Sequence, residues 1–382
     1  MDSKRKNSIV LKRGDLELLG LIKEGILGSC THLMDKKEVI EVLQTQHFRG
    51  LPTPYTFAFT PENVDISGAK KGDKFELFCE EKAVGKLVLS EKFQHKGDIQ
   101  SIFTPNSCFV DDCFYAAGDF ELYESHITAI KQDFERLKAH LNAQKITAII
   151  ASLDPLHRAH ERIFRWTIDK ADLIVVFLID YFNKNGLNFD LKKACLEKFI
   201  ELYLPKDRIF VFPLRHISVF SAYFNTILEA TIAKNLGCTK LVVGQNHAGL
   251  GMFYEQNRPK TILDDISRQF GIEVVVLPEF VYCTKCKISV STRSCPHGSH
   301  HHIKFHPNSL KDLLKTGIIP PTIFMRREIS VLILQHFFPN RFEKLQNIYN
   351  DLFPNTGLVA THKQDADFYE QLLSMYQMSY MV

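Results

Sequence analysis

The chain has 382 residues, of which 45% are hydrophobic and 24% charged. These proportions are typical of a globular protein, and the length predicts two or three domains. A formal net charge of +3 is too small to indicate nucleic-acid binding, and no basic run is long enough to form a binding arm. No stretch approaches the roughly 18 apolar residues of a membrane helix, and no signal-like apolar segment follows the N-terminus. We therefore expect a cytoplasmic protein with neither nucleic-acid nor membrane partners.

Residues 1–135 predict a β-rich domain of their own. A short helix is expected at residues 16–22, and alternating apolar residues between Gly, Pro and Asp turns predict strands at residues 55–59, 75–79 and 83–89. No catalytic constellation occurs in this region. The polar helix predicted over residues 127–144 would connect it to the next domain and provide a packing surface.

From residue 145 onward, apolar runs alternate with helical patterns. Strands are predicted at residues 145–152, 173–179, 208–212, 240–243 and 273–277, and helices at residues 155–170, 190–203 and 222–235. This alternation predicts an α/β domain, residues 136–305, with a parallel sheet covered by helices on both faces. Ligands bind such sheets beyond the carboxyl ends of the strands, which directs attention to the loops after Ser152 and Val243.

The stretch from Lys145 to His160 predicts a phosphate site. Asp154 is a natural N-cap and Pro155 suits the first position of a helix, so the turn after the strand should place His157 and His160 at a helix start. Three residues apart, the two histidines share one helical face. Unpaired N–H groups and the positive end of the helix dipole favour a polyphosphate at this position.

The loop after the strand at residues 240–243 reads Gly244-Gln245-Asn246-His247-Ala248-Gly249. Glycines allow the backbone to approach a ligand closely, and His247 can donate to a phosphate or a nucleobase. Such a loop taken alone is more often a simple turn. Its position at the same sheet edge as His157 and His160 favours a ligand site.

These motifs, in this order and spacing, resemble the ATP sulfurylase (sulfate adenylyltransferase) family. The resemblance rests on Pro155-Leu-His-Arg-Ala-His-Glu161, on residues 237–251, on Cys283-Thr-Lys-Cys286 and on Cys295-Pro-His-Gly298. It implies a Rossmann-like HxxH nucleotidyltransferase domain preceded by a PUA-like domain. The implied reaction is attack of sulfate on the α-phosphate of ATP bound with Mg²⁺, which releases pyrophosphate and adenylyl sulfate.

The resemblance, together with the chemistry of the side chains, assigns site residues. Adenylyl transfer needs alignment and charge neutralisation but little acid–base work, because an anionic oxygen needs no deprotonation. The predicted catalytic residues are His157, His160 and Arg215. The predicted nucleotide-binding residues are Ser152, Asp154, Gly244, Gln245, Asn246, His247 and Val281. The predicted anion-binding residues are Ala248 and Arg158, although an exposed helix-face arginine is an equally good interpretation of Arg158.

The sequence departs from the family where a small anion would bind. The family has Gln-Thr-Arg-Asn where this chain has Ala151-Ser152-Leu153-Asp154, so a bidentate arginine is lost and a carboxylate gained. Three hypotheses remain open: a sulfate adenylyltransferase whose anion is held by other residues, a nucleotidyltransferase with a different acceptor, or a non-catalytic nucleotide-binding relative. The candidate replacements for the lost arginine are Arg215, His216, Arg158 and Lys184.

A cluster of cysteines and histidines predicts a structural zinc site. Cys283, Cys286 and Cys295 have the spacing of a Cys3His site, with His300 preferred as the fourth ligand and His297 or His302 as rivals. The other six of the nine cysteines are expected to be buried apolar residues and not disulfides. Residues 306–382 predict a helical C-terminal region that docks on the body or on another subunit, so a homo-oligomer is possible.

Overall fold

The computed structural model describes residues 7–95, 99–103, 113–180, 186–217, 225–244, 252–255, 258–261 and 271–339. The chain divides into two compact units. The first comprises Met1–Ala151, Lys170–Asn183 and Arg208–Leu277, and the second comprises Ser152–Asp169, Lys184–Asp207 and Pro278–Val382.

The helices and strands follow one another in chain order. The first part of the chain contains β1 Ser8–Val10, α1 Arg13–Lys23, α2 Lys36–Thr45, β2 His47–Phe48, β3 Leu51–Pro52, β4 Lys74–Cys79, β5 Lys82–Phe93, β6 Tyr115–Leu122 and α3 His126–His140. The middle part contains β7 Ile146–Ala151, α4 Arg158–Ile168, β8 Leu173–Ile179, α5 Phe189–Tyr203, β9 Ile209–Leu214, α6 Asn225–Asn235 and β10 Lys240–Gly244. The last part contains β11 Met252–Glu255, β12 Arg258–Thr261, β13 Glu273–Leu277, β14 Phe280–Cys283, β15 Ile288–Ser291, β16 His302–Lys304, α7 Pro307–Lys315 and α8 Arg327–Phe337.

The N-terminal region forms a four-stranded sheet in the order β1-β4-β5-β6. The predicted helix at residues 16–22 and the strands at 75–79 and 83–89 are confirmed by α1, β4 and β5. The strand predicted at residues 55–59 is wrong: Thr56 and Phe59 form only isolated bridges, although Tyr55 and Phe57 are buried as the alternation suggested. The PUA-like assignment stays a prediction.

The five-stranded parallel sheet has the order β13-β10-β7-β8-β9. This confirms all five predicted strands of the α/β region. From β7 the chain adds β8 and β9 on one side and then returns to add β10 on the other, so the strand order reverses between β7 and β10. Parallel sheets bind ligands beyond the carboxyl ends of the strands at such a reversal, and both predicted site loops leave the sheet there.

One hydrophobic core joins the N-terminal sheet to the parallel sheet. Phe120 of β6 and Phe134 of α3 belong to the same buried cluster as Phe177 of β8 and Phe212 of β9. The ring of Phe134 meets that of Phe210 edge-on, with centroids 5.3 Å apart. The predicted connecting helix therefore also packs as expected. The predicted boundary after residue 135 lies inside α3, and the three-domain division stays a prediction.

The second unit contains α4, α5, α7, α8 and a three-stranded antiparallel sheet in the order β15-β14-β16. Helix α8 contacts α5 and α7, and α4 contacts the β14–β15 hairpin. Phe164 of α4 and Phe199 of α5 pack with ring centroids 6.0 Å apart. In the described part of the chain, no helix combines the length and apolar character needed to cross a membrane.

Candidate active site

The turn between β7 and α4 is held by Asp154. One carboxylate oxygen accepts the backbone N–H of Leu187 at 2.9 Å, and the other accepts the Lys311 ammonium at 2.8 Å. Both side chains of the ion pair are largely buried, 11% exposed for Asp154 and 4% for Lys311. The prediction that Asp154 caps α4 is wrong, since these donors engage its carboxylate. The helix begins three residues later than predicted from Pro155, at Arg158, with His157 in the N-cap position.

His157 and His160 lie against each other at the start of α4. Their rings stack with centroids 3.9 Å apart, and the opposite side of His157 faces the ring of Phe305 at 5.3 Å with an interplanar angle of 10°. This geometry confirms the prediction that the turn places both histidines at a helix start. The buried Nδ1 of His157 has no hydrogen-bond partner among the described residues.

Burial sets the protonation state of both imidazoles. Desolvation lowers the pKa of His160 to about 4. Desolvation, with a smaller contribution from His160, also holds the pKa of His157 well below its usual value. The backbone N–H of His157 donates to Nδ1 of His160 at 3.2 Å, so the neutral His160 ring carries its proton on Nε2. The pair is therefore neutral near pH 7, with Nε2 of His160 as a hydrogen-bond donor.

The first N–H group of α4 is already engaged. The backbone N–H of Arg158 donates to the carbonyl of Phe324 at 2.8 Å. The Arg158 side chain turns along the helix, where it donates to Glu161 at 2.7 Å and to the carbonyl of Thr322 at 3.1 Å. This position corresponds to the alternative interpretation of Arg158 as a helix-face arginine. The site therefore offers fewer free helix N–H groups than the sequence predicted.

The carboxylate of Glu161, next to His160, accepts hydrogen bonds from three arginines. Its carboxylate accepts from Arg158, from Arg165 at 3.0 Å and from Arg326 at 2.6 and 3.0 Å. Burial alone would raise the pKa of Glu161, but the hydrogen bonds from Arg326 and Arg158 outweigh it and lower the pKa to about 2. Glu161 is thus ionised at neutral pH, and it ties α4 to the segment before α8.

Other predicted site residues belong to elements other than α4 or lie outside the described residues. Arg215 belongs to the first unit, where its charge acts on Glu17 beside a cleft of about 720 Å³. Gly244 ends β10 and is exposed, whereas the Val281 side chain is fully buried in β14. The remaining predicted residues, Lys184, Gln245, Asn246, His247 and Ala248, lie outside the described residues.

Cys283, Cys286, Cys295 and His297 form a compact group whose donor atoms all lie within 4.8 Å of one another. The Sγ atoms of Cys286 and Cys295 are 3.9 Å apart, and Nδ1 of His297 lies 3.2 to 3.6 Å from the three sulfurs. Tetrahedral zinc with Zn–S of about 2.3 Å and Zn–N of about 2.0 Å requires S···S near 3.8 Å and S···N near 3.6 Å. The donor set and its spacing therefore fit a zinc ion.

The structure favours His297 over the preferred His300 as the fourth donor of this group. His297 directs Nδ1 at all three cysteines, while His300 lies in a short 3-10 helix after Gly298 and packs against His301 with ring centroids 4.1 Å apart. The backbone turn at residues 299–301 separates two histidines that the sequence spacing could not distinguish. Burial would raise the pKa of the Cys283 thiol, but N–H groups of Cys286 and Lys285 lower it to about 6, which favours a thiolate ligand.

Sequence reasoning missed Phe305 and Lys311. Phe305 stacks on His157, and Lys311 of α7 neutralises Asp154, yet both lie about 150 residues further along the chain. Neither carries a local signal, because a phenylalanine after a strand and a lysine in an amphipathic helix are ordinary residues. Only an unusual need for a cation beside Asp154 could have prompted a search for Lys311.

The sequence model of the ATP-sulfurylase family matches residues 125–336, more than half of the chain. The chain belongs to the ATP-sulfurylase family. It is 24% identical over 336 residues to the sulfate adenylyltransferase of Chloroflexus aurantiacus, which covers 82% of this chain and 87% of that protein. Identity to the sulfate adenylyltransferase of Carboxydothermus hydrogenoformans is 30% over 191 residues, 48% of this chain and 49% of that protein.

A solved structure shares the fold of this chain. The structure, described as hexameric APS kinase from Thiobacillus denitrificans, superimposes with a TM-score of 0.65 at 15% identity. The match covers 88% of this chain and 64% of that one. The likeness confirms the α/β fold with its parallel sheet, and it extends over most of the chain.

Replacing Lys311 by Met tests the Asp154 ion pair. The substitution leaves a largely buried carboxylate without its ammonium partner, so we expect the free energy of unfolding in urea to fall by about 3–5 kcal/mol near pH 7. The matched variant Lys304→Met removes an exposed ion pair with Glu279 and should cost less than about 1 kcal/mol. The double variant Asp154→Asn/Lys311→Met should recover part of the loss. Equal losses in the two lysine variants would contradict this role.

The depressed imidazole pKa values predict a pH dependence. A base whose pKa is lower in the folded than in the unfolded chain binds protons preferentially when unfolded. The free energy of unfolding should therefore decline as the pH falls from about 6.5 toward about 4. NMR titration of histidine ring signals should show His157 and His160 still neutral at pH 6. Midpoints near 6.5 for both site histidines would contradict the prediction.

Proposed function

We propose that this protein is an adenylyltransferase that transfers AMP from ATP to sulfate or a related anion and releases pyrophosphate. Family membership and the stacked neutral pair His157–His160 at the mouth of α4 support this function. The histidine pair is the main support for this function. His160 has a fixed Nε2 donor and His157 has a buried Nδ1 without a partner in the described chain, and such groups suit a phosphate whose charge increases in the transition state.

In the proposed mechanism, the acceptor oxygen attacks the α-phosphorus in line with the departing pyrophosphate. The attacking oxygen is already anionic, so the site needs no general base. Nε2 of His160 donates to a phosphate oxygen, and His157 does so through a ring nitrogen, with its plane fixed between His160 and Phe305. Mg²⁺ bound with ATP supplies further charge neutralisation. Because both imidazoles are neutral, they bind the charged phosphate through directed hydrogen bonds without titrating in the neutral range.

The identity of the acceptor is the second part of the proposal. Leu153 is buried, and the Asp154 carboxylate is compensated by Lys311. The position that holds an arginine in the family thus offers no cation here, while Lys311 cancels the repulsion that Asp154 would exert on an anion. Without the arginine, but with Asp154 neutralised, the turn would bind sulfate with a lower affinity than a bidentate arginine gives. The same balance of charge equally favours the second candidate function, adenylyl transfer to a less anionic or larger acceptor.

An ATP–pyrophosphate exchange assay with a panel of oxyanions and phosphate-bearing acceptors tests this function. Sulfate should stimulate exchange if it is the acceptor, and another compound should do so under the second candidate function. His157→Ala and His160→Ala should each lower kcat by about 10²–10³-fold, as losses of transition-state hydrogen bonds do. His140→Ala, at the exposed end of α3, is the control. Unchanged turnover in both site variants would refute the catalytic assignment, and nucleotide binding without turnover would indicate a non-catalytic relative.

We also propose that Cys283, Cys286, Cys295 and His297 hold a structural zinc ion. All four positions are protein donors, so the site would be closed and would stabilise the loop from β14 to β16. The homo-oligomeric state, the cytoplasmic location and the division at residues 135 and 305 remain predictions.

Metal analysis of purified variants tests the zinc proposal and its fourth ligand. Wild type and His300→Ala should retain about one zinc per chain, whereas His297→Ala should lose most of it under mild chelation, because one of four protein bonds is removed. Thermal unfolding should follow the same order. Less than about half a zinc per wild-type chain would refute the site, and zinc loss only in His300→Ala would restore the original preference.

A further inference from the structure

The outward side of α4 carries a cluster of cations that the proposed reaction does not use. Arg158, Arg162 and Arg165 recur at intervals of four and three residues, so they share one helical face. Together with Lys287 from the β14–β15 turn, they line a cleft of about 370 Å³ within the second unit. We call this the α4 cleft.

The α4 cleft has a surplus of positive charge. Among its described lining residues, Glu161 alone carries a carboxylate, and that carboxylate is already shared by Arg158, Arg165 and Arg326. Arg162 and Lys287 have no carboxylate partner within the described chain, and both are exposed. Four cations face one carboxylate in a concave surface, so the field there favours an anion.

The remaining walls suit an anion attached to an organic group. Tyr282 and Ser289 are cross-strand partners on the hairpin, and Ile288 beside them is 60% exposed. Thr322 also lines the α4 cleft, together with a neighbouring cleft of about 300 Å³. Guanidinium groups match the geometry of phosphate oxygens, while an aromatic ring and an exposed aliphatic chain can cover a planar or apolar group.

The α4 cleft differs from the site of His157 and His160. Neither imidazole lines it, and Phe305, which stacks on His157, does not line it either. Arg158 is the one residue of the α4 cleft that was also predicted to act on the substrate, and its guanidinium is directed to Glu161. A ligand in the α4 cleft would therefore not occupy the position of the reacting phosphate at the histidines.

We propose that the α4 cleft is a second binding site, for a phosphate-bearing small molecule no larger than a nucleotide. Arg162 and Lys287 bind the phosphate group directly, Arg165 adds charge, and Tyr282 with Ile288 contacts the attached group. A compact concave site with four cations fits a small anion better than a polymer, since the net charge of the whole chain is only +3. The proposal concerns binding and does not depend on the acceptor of the reaction.

Isothermal titration with inorganic pyrophosphate tests the α4 cleft while a saturating, non-reacting ATP analogue with Mg²⁺ fills the nucleotide site. The protein should still bind pyrophosphate. The variant Arg162→Ala/Lys287→Ala should weaken this binding by about ten-fold or more, because two charge-assisted contacts are lost. The control Arg293→Ala/Lys206→Ala removes one exposed arginine and one exposed lysine outside the α4 cleft and should bind as wild type does.

A second arm distinguishes a nucleotide from a free phosphate. Under the same conditions, AMP should bind more tightly than inorganic phosphate if the hydrophobic wall contacts the nucleoside, and Ile288→Ser should reduce that difference. Equal affinity for the two probes would identify a free phosphate as the ligand. The proposal is overturned if the blocked protein binds neither pyrophosphate nor AMP, or if the Arg162→Ala/Lys287→Ala variant binds like its control. Catalytic activity is not the readout, so failure of the proposed reaction would leave these results interpretable.

Discussion

The ion pair between Asp154 and Lys311 is the interaction on which the geometry of the site depends. A carboxylate placed between a buried strand and a helix must find donors, and the Leu187 N–H and the Lys311 ammonium provide them. With its carboxylate engaged by these donors, Asp154 does not cap α4. The helix starts after His157, and the imidazoles of His157 and His160 stack at its N-terminal end.

Charge is distributed unequally around α4. At its N-terminal end, burial keeps two imidazoles neutral, and the nearby Asp154 is balanced by Lys311. Its outward face carries Arg158, Arg162 and Arg165, with Lys287 beside them. The carboxylate of Glu161 accepts from Arg158 and Arg165, and also from Arg326 before α8. A neutral hydrogen-bonding pair can stabilise changing phosphate charge, whereas fixed cations provide affinity for an anion that does not react. One helix thus presents two surfaces of different chemistry.

The segment that matches the ATP-sulfurylase family contains both the histidine pair and the turn before it. Leu153 and Asp154 replace the family's arginine and amide, and the structure shows that α7 delivers a cation to the same turn from a distant part of the sequence. The total charge at the turn is therefore closer to neutral than the local sequence indicates. A neutral turn can accept a weakly bound sulfate or an acceptor of lower charge.

The sequence alone predicted the parallel sheet, because long β-branched runs alternating with amphipathic stretches fit few other folds. It also predicted that His157 and His160 lie together and that Cys283, Cys286 and Cys295 form a cluster, since short spacing fixes such neighbours. Tertiary structure decided the start of α4, the position of His297 instead of His300 beside the cysteines, the stacking of Phe305 and the pairing of Lys311 with Asp154. These depend on contacts between residues far apart in the chain or on the path of a single turn. Local residue preferences and spacing do not specify such contacts or the path of a turn, because the packing of the rest of the chain determines them.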